Sequence, residues 1–175
     1  FHGWVLFMKV AFVDRDGTIN KDYQDDDWRY IYEPELLDGS LEALKVINQK
    51  GYQIIIITNQ YLINDGIITL LQYKKFTEKL LLELYNNEID ILDTFYCPHS
   101  IRENCNCFKP KTGLVDMALK KYPHIELDKS FIVGDSVSDV ELGNMLGIMT
   151  FGINVNSGLF DYTRIKYLLD IIKYL

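Results

Sequence analysis

KVAFVDRDGTIN, Lys9 to Asn20, runs from an apolar segment straight into Asp14 and Asp16, followed by a glycine and a threonine. A short apolar run that stops at turn chemistry reads as a buried strand. Ionised carboxylates at the end of such a strand are costly unless a cation or hydrogen-bond donors receive them. Asp14 and Asp16 therefore need a partner.

The same patterning recurs downstream. GYQIIIIT, Gly51 to Thr58, has four consecutive isoleucines that suit burial on both faces of a parallel sheet. Between the two strands, Asp38 or Ser40 serves as a cap, Leu41, Leu44 and Ile47 share a face, and Gly51 closes the helix. Thr69 to Tyr85 has helical spacing through Leu70, Tyr73, Phe76, Leu80 and Leu84, and Ile89 to Tyr96 supplies a third, less regular strand before a polar loop to Lys111. Then follow a short helix (Leu114 to Tyr122), a strand (Ser130 to Asp135), a helix (Val137 to Leu146), a strand (Gly147 to Ile153) and a closing helix (Tyr162 to Leu175). DDDW, Asp25 to Trp28, reads as a solvated loop, with Glu33 and Glu35 beyond it.

Strands alternating with helices predict an α/β fold: one Rossmann-like, three-layer domain with a mostly parallel central sheet. Nothing resembles a repeat or a linker, so residues 8–175 read as one domain. Phe1 to Phe7, ahead of Met8, read as an added or native lead-in with no assigned role. At 175 residues, 48% hydrophobic and 13% aromatic, the chain can fill one core. The net charge of −7 disfavours general affinity for phosphate backbones, so nucleic acid is an unlikely partner. No apolar run approaches the roughly 20 residues that span a bilayer, FHGWVLF is too short for a secretory signal, and the cytoplasm is the expected location. The oligomeric state is not readable from the sequence.

In open α/β sheets, ligands collect at the carboxyl ends of the strands. Asp14, Thr58 and Asp135 each end an expected strand, which places all three on one rim. Any one of them alone could be a helix cap; together they favour a site. Paired carboxylates with a third from elsewhere suit Mg²⁺, which takes a few carboxylates, waters and substrate phosphate. Such an ion, with a nearby lysine, would let an aspartate attack a phosphate dianion. Lys109 is the candidate, although lysines mostly lie on surfaces.

DRDGT (Asp14 to Thr18), Thr58 within ITNQ, Lys109 before Pro110, and GDSVSD (Gly134 to Asp139) resemble, in order and placement, the four motifs of the haloacid dehalogenase superfamily of phosphatases. The resemblance implies that Asp14 is the nucleophile and Asp16 the general acid and base. It further implies that Thr58, Asn59 and Lys109 bind the substrate phosphoryl group. Asp14, the Asp16 carbonyl and Asp135 would hold Mg²⁺, with Asp139 supporting them from behind. Only 43 residues separate Asp14 from Thr58, and 50 separate Thr58 from Lys109, so no cap domain is expected and local loops must select the substrate.

All three cysteines fall in CPHSIRENCNC, which gives Cys97, His99, Cys105 and Cys107. Four such ligands in two close pairs suit a closed, structural Zn²⁺ site in a loop spanning residues 97–107; a disulfide with a spare thiol, or accidental clustering, are the other readings. Placed before the motif lysine, this loop resembles the capless branch that contains D-glycero-D-manno-heptose 1,7-bisphosphate phosphatases and histidinol-phosphate phosphatases. Phe108 stands where that branch usually has arginine, and Tyr61 and Leu62 replace small residues after ITNQ. The expected activity is removal of the 7-phosphate from heptose 1,7-bisphosphate, a small phosphorylated metabolite. The alternatives are histidinol phosphate, a nucleic-acid 3′-phosphate, or a catalytically silent phosphate-binding scaffold. His2, His124, Ser136, Ser138 and Asn144 receive no role beyond surface or cap duties.

Overall fold

The computed structural model describes residues 4–175; His2 and the first part of the Phe1 to Phe7 lead-in lie outside the described residues. Each apolar run noted above becomes a parallel strand. In chain order these are β1 (Val10–Val13), β2 (Gln53–Asn59), β3 (Ile91–Cys97), β4 (Phe131–Gly134), β5 (Met149–Ile153) and β6 (Thr163–Ile165). They form one sheet in the order β3-β2-β1-β4-β5-β6, with every neighbouring pair parallel. The sequence of strands reverses direction between β1 and β4, which opens a crevice at their carboxyl ends.

The isoleucine run explains the layering. Along a strand, side chains alternate between faces, so Ile54 and Ile56 join Ala11 and Val13 on one side, while Ile55 and Ile57 join Val10 and Phe12 on the other. The first side is covered by α1 (Ser40–Gln49) and α2 (Leu70–Asn86), through Ala43, Leu44, Ile47, Leu80 and Leu84. The second is covered by α3 (Gly113–Lys121) and α4 (Val137–Leu146), through Leu114, Val115, Ala118 and Leu142. Burying each isoleucine contributes about 1.5–3 kcal/mol. A third cluster, made by Trp28, Leu62, Ile68, Tyr73 and Phe76, sits beside the crevice. β3 patterns less cleanly because it is the sheet's edge: its Asp93 accepts from Lys121 Nζ and, at 2.7 Å, from Tyr122 Oη.

Three local expectations are corrected. The closing helix is replaced by β6 and a 3₁₀ segment, Leu168–Tyr174. The free backbone edge of β5 recruits Thr163 to Ile165 as a strand, and Leu168 and Ile171 still reach the core from the 3₁₀ turns. Neither Asp38 nor Ser40 caps α1; Gly39 takes the N-cap position at φ +81°, and Ser40 Oγ instead donates to Ile19 O at 2.9 Å. DDDW is a 3₁₀ helix, Asp25–Tyr30, whose Trp28 is buried because an indole outweighs three flanking carboxylates that can stay in water. Thr69 does cap α2, accepting from the Gln72 N–H at 3.0 Å.

Ile55 is fully buried and Gln53 is exposed at the start of the same strand. Urea denaturation should show Ile55→Ala losing about 2–5 kcal/mol, against less than about 0.5 kcal/mol for Gln53→Ala.

Candidate active site

The end of β1 delivers Asp14 into the crevice, 7% exposed. Its Oδ1 accepts from Lys109 Nζ at 2.8 Å and its Oδ2 from Thr18 Oγ1 at 3.1 Å. Lys109 is itself buried and spends its remaining donors on Ile57 O at 2.9 Å and Asp139 Oδ1 at 2.7 Å. A buried ammonium fits here because three acceptors converge on it. Asp139 comes from the first turn of α4; Ser136 Oγ accepts from the Asp139 N–H at 3.3 Å, and Asp139 Oδ2 accepts in return from Ser136 N at 3.2 Å and Ser136 Oγ at 2.7 Å, a reciprocal pair that makes Ser136, not Asp135, the helix cap.

Asp135, one residue beyond β4, presses against the first motif. Gly17 has φ +81°, and a Cβ there would collide with the Asp135 carboxylate, so this turn requires glycine. Gly134 is required for a parallel reason: a side chain would displace Asp139. The sequence constraint on both motifs is therefore steric as well as chemical.

The charges do not balance. Asp14, Asp135 and Asp139 bring carboxylate oxygens within 4.8 Å of one another around one lysine. Burial first, then Asp139, hold the Asp14 carboxyl well above the usual carboxylate range against the opposing pull of Lys109. Burial also lifts Asp135, to about 6. Burial alone would lower Lys109, but Asp139 and Asp14 hold its ammonium above its ordinary value. Both partners of the Asp14–Lys109 pair thus move upward, the signature of several anions sharing one cation. Asp139 accepts from Lys109, Ser136 N and Ser136 Oγ, whereas each Asp14 oxygen accepts a single hydrogen bond and keeps a lone pair, so Asp14 and Asp135 are the carboxylates best able to take a metal, and the donor set suits a hard divalent cation.

Asp16 faces the same cleft but belongs to another network. Arg15 donates to both its oxygens, at 2.8 and 3.0 Å, Asn20 Nδ2 to Oδ1 at 3.0 Å, and Gln60 Nε2 to Oδ2 at 2.9 Å. Gln60 also donates to Thr58 Oγ1 at 2.8 Å, which ties the end of β2 to the first motif. Asn59 clamps the Lys109 backbone, accepting from its N–H at 2.9 Å and donating to its carbonyl at 3.3 Å. Asn59 is thus tied to the main chain of Lys109. Arg15, Gln60, Asn20 and Thr18 were missed as site residues; ITNQ and DRDGT contain three of the four, but nothing in their spacing shows where these side chains point.

The cleft measures about 240 Å³. Beyond the carboxylates its walls are Asp22, Asp25, Trp28, Tyr61, Leu62 and Phe108, so the expected bulky, apolar rim is present, with two acidic groups added. Asp25 therefore leaves the role of plain solvated residue: its Oδ1 accepts from Tyr61 Oη at 2.7 Å. Ser138 also lines the cleft. His124 is exposed, as expected of a surface loop, with its ring edge-on to Phe7.

Behind Lys109 lies the cysteine loop. Cys97 at the end of β3, His99, Cys105 and Cys107 bring their sulfurs and a ring nitrogen within 4.8 Å of one another. All three cysteines are unbonded, with Cys97 and Cys107 sulfurs 2.6 Å apart, and His99 joins them, an arrangement a disulfide alone does not require. Cys105 lies 3.6 Å from Cys97 and 3.7 Å from Cys107, sulfur to sulfur, and His99 Nδ1 lies 3.1 Å from Cys107 Sγ. Burial pushes the Cys97 thiol up. At Cys105 burial is outweighed by backbone N–H donors, Phe108 at 3.3 Å among them, and the thiol falls to about 7. A soft tetrahedral ion fits this donor set.

Comparison with known proteins agrees with this geometry. The family model described as polynucleotide kinase 3 phosphatase matches residues 9–156. A D-glycero-alpha-D-manno-heptose-1,7-bisphosphate 7-phosphatase of Photorhabdus laumondii is 38% identical over 151 residues, covering 81% of this chain and 79% of the relative. The D-glycero-beta-D-manno-heptose-1,7-bisphosphate 7-phosphatase of Escherichia coli K12 is 32% identical over 144 residues, covering 77% and 72%. Among solved structures, the D,D-heptose 1,7-bisphosphate phosphatase of B. bronchiseptica, complexed with magnesium and phosphate, superposes with a TM-score of 0.82 at 23% identity, over 95% of this chain and 97% of the other. The strand order, the metal-competent carboxylates and these matches agree: the chain belongs to the polynucleotide kinase 3 phosphatase family and is a phosphatase of the haloacid dehalogenase type.

Proposed function

We propose that this protein is a Mg²⁺-dependent phosphomonoesterase that removes the 7-phosphate of D-glycero-D-manno-heptose 1,7-bisphosphate through an aspartyl-phosphate. The observation that carries the chemistry is the excess of buried carboxylate over ammonium at the β1/β4 crevice. Asp14, Asp135 and the Asp16 carbonyl would hold Mg²⁺, which would supply charge to offset phosphate against carboxylate and to stabilise the transition state. Asp14 attacks phosphorus; the bond to the sugar oxygen breaks as the bond to Asp14 forms. Thr58 is assigned to the phosphoryl oxygens, Lys109 joins it by turning toward them the donor it gives Asp14 Oδ1 at 2.8 Å as that carboxylate becomes esterified, and Asn59 keeps the Lys109 backbone in place. Asp16 gives its proton to the leaving sugar oxygen, then takes one from the water that hydrolyses the aspartyl-phosphate. Asp139 fixes Lys109.

The substrate assignment draws on relatives that bear this name at 32–38% identity. The cleft supports a sugar: Asp22 and Asp25 can accept from hydroxyls, and Tyr61, Trp28 and Phe108 offer faces to the ring carbons. Cys97, His99, Cys105 and Cys107 are assigned to a structural Zn²⁺ that braces the loop carrying Lys109, and a closed four-ligand site leaves such an ion no catalytic position. Three free thiols in one loop suit a reducing compartment, the cytoplasm; no helix among the described residues is long and apolar enough to cross a membrane. The family model's own description favours a second reading, a 3′-phosphatase acting on polynucleotides. The −7 net charge and the acidic rim weigh against it.

Asp14→Asn should abolish turnover while leaving the melting temperature close to the parent's; hydrolysis at the parent rate by that variant would remove Asp14 as nucleophile. With Mg²⁺ present, kcat/KM should be highest for heptose 1,7-bisphosphate in a panel that includes histidinol phosphate and a 3′-phosphorylated oligonucleotide; a higher value for either of the latter would reassign the substrate. Elemental analysis should give one zinc per chain, and chelation should lower the melting temperature as well as activity, since a structural ion contributes to folding. Zinc-free protein of unchanged stability would refute the brace.

A further inference from the structure

The roles above leave Arg15 without one, although it is among the largest fully buried side chains in the protein. A guanidinium cannot shed its charge, so burying it demands a dedicated partner. Arg15 has one: Nε donates to Asp16 Oδ1 at 2.8 Å and Nη2 to Oδ2 at 3.0 Å, a two-pronged grip on the carboxylate. The grip comes from outside the cleft. Arg15 and Asn20 do not line the cavity, whereas Gln60, the other donor to Asp16, does.

The guanidinium is itself caged. Its central carbon lies 4.6 Å from the Phe76 ring centroid, 5.5 Å from Tyr73 and 5.9 Å from Trp28, and Nη1 donates to Thr77 Oγ1 at 3.3 Å. Tyr73, Phe76 and Thr77 stand three and four residues apart on one face of α2, and Trp28 from the 3₁₀ segment completes the cage around the arginine. Consecutive residues could pair loosely anywhere. Here the aromatic cage fixes one geometry out of many.

We propose that Arg15 is a positioning residue that aims the Asp16 carboxyl at the leaving oxygen of the substrate. To carry the proton that passes to that oxygen as the ester P–O bond breaks, Asp16 Oδ2 must be released by Gln60 Nε2, its amide donor from the cleft side, while Arg15 stays paired with the carboxyl before and after the transfer. The third aromatic cluster of the fold thus holds the acid in register. The proposal rests on Asp16 being the acid, and the test separates the two ideas.

Phosphoenzyme formation is followed by rapid quench with heptose 1,7-bisphosphate, whose leaving alkoxide needs a proton, and with p-nitrophenyl phosphate, whose leaving group does not. Asp16→Asn should slow the first about 10²–10⁴-fold and the second little; equal losses there would overturn the acid assignment, and the proposal with it. Given that selectivity, Arg15→Met, which refills the cage with an apolar chain, should reproduce it at about 10²-fold. Arg15→Lys keeps a cation but loses the fork, and should show the same selectivity to a smaller degree even if the methionine variant fails to fold. Equal loss on both substrates, or no loss on either, for the Arg15 variants would overturn the positioning role while leaving Asp16 as the acid.

Discussion

One buried ammonium holds the site together. Lys109 joins Asp14 on β1, the main chain of β2 at Ile57, and Asp139 on α4, residues separated from it by 95, 52 and 30 positions in the chain. Removing a lysine from water is expensive, and the expense is offset only where all its donors meet acceptors. The β1/β4 crossover provides that place, because reversal of strand order opens the sheet's carboxyl edge without exposing its core. The third carboxylate, Asp135, then leaves the crevice electron-rich, a state that favours a divalent cation over any further protein group.

That constraint also sorts the two aspartates of the first motif. They are one residue apart, yet Asp14 faces Lys109 and Thr18, while Asp16 faces Arg15, Asn20 and Gln60. Burial and a neighbouring anion act on Asp14; a guanidinium and two amides act on Asp16. Two carboxylates with different surroundings can divide nucleophilic and proton-transfer duties, which identical surroundings would prevent.

Much of this was legible in the sequence because the relevant physics is local. Four consecutive isoleucines declare a two-faced strand, and Asp14, Thr58 and Asp135 follow strand-forming runs closely enough to place them on one rim. The cysteine cluster is legible by ligand type alone. Lys109 could be put forward from its place after the polar loop, but not read as buried from its neighbours, because its environment is assembled from three distant elements. Arg15 was hidden for the opposite reason: it sits inside the motif, but most of its cage comes from α2, about 60 residues on. Trp28 was masked by three aspartates, and β6 by apolar spacing that a helix and a strand-plus-turn satisfy equally well.

Without a cap domain among the described residues, selectivity falls to three segments that meet over the cleft. Tyr61 bridges to Asp25 through its hydroxyl at 2.7 Å and approaches Phe108 with ring centroids 6.1 Å apart. Phe108 is in turn fixed by its N–H to Cys105 Sγ, so the cysteine loop sets the position of one wall as well as of the lysine. Among the described residues lining the cleft, Lys109 is the sole cation, and it is committed to the carboxylates. A second phosphate on a substrate therefore meets no counter-charge inside, and Asp22 and Asp25 would repel it there. At the mouth, water and salt screen that repulsion, which favours a substrate long enough to keep its other phosphate outside while its hydroxylated carbons occupy the rim.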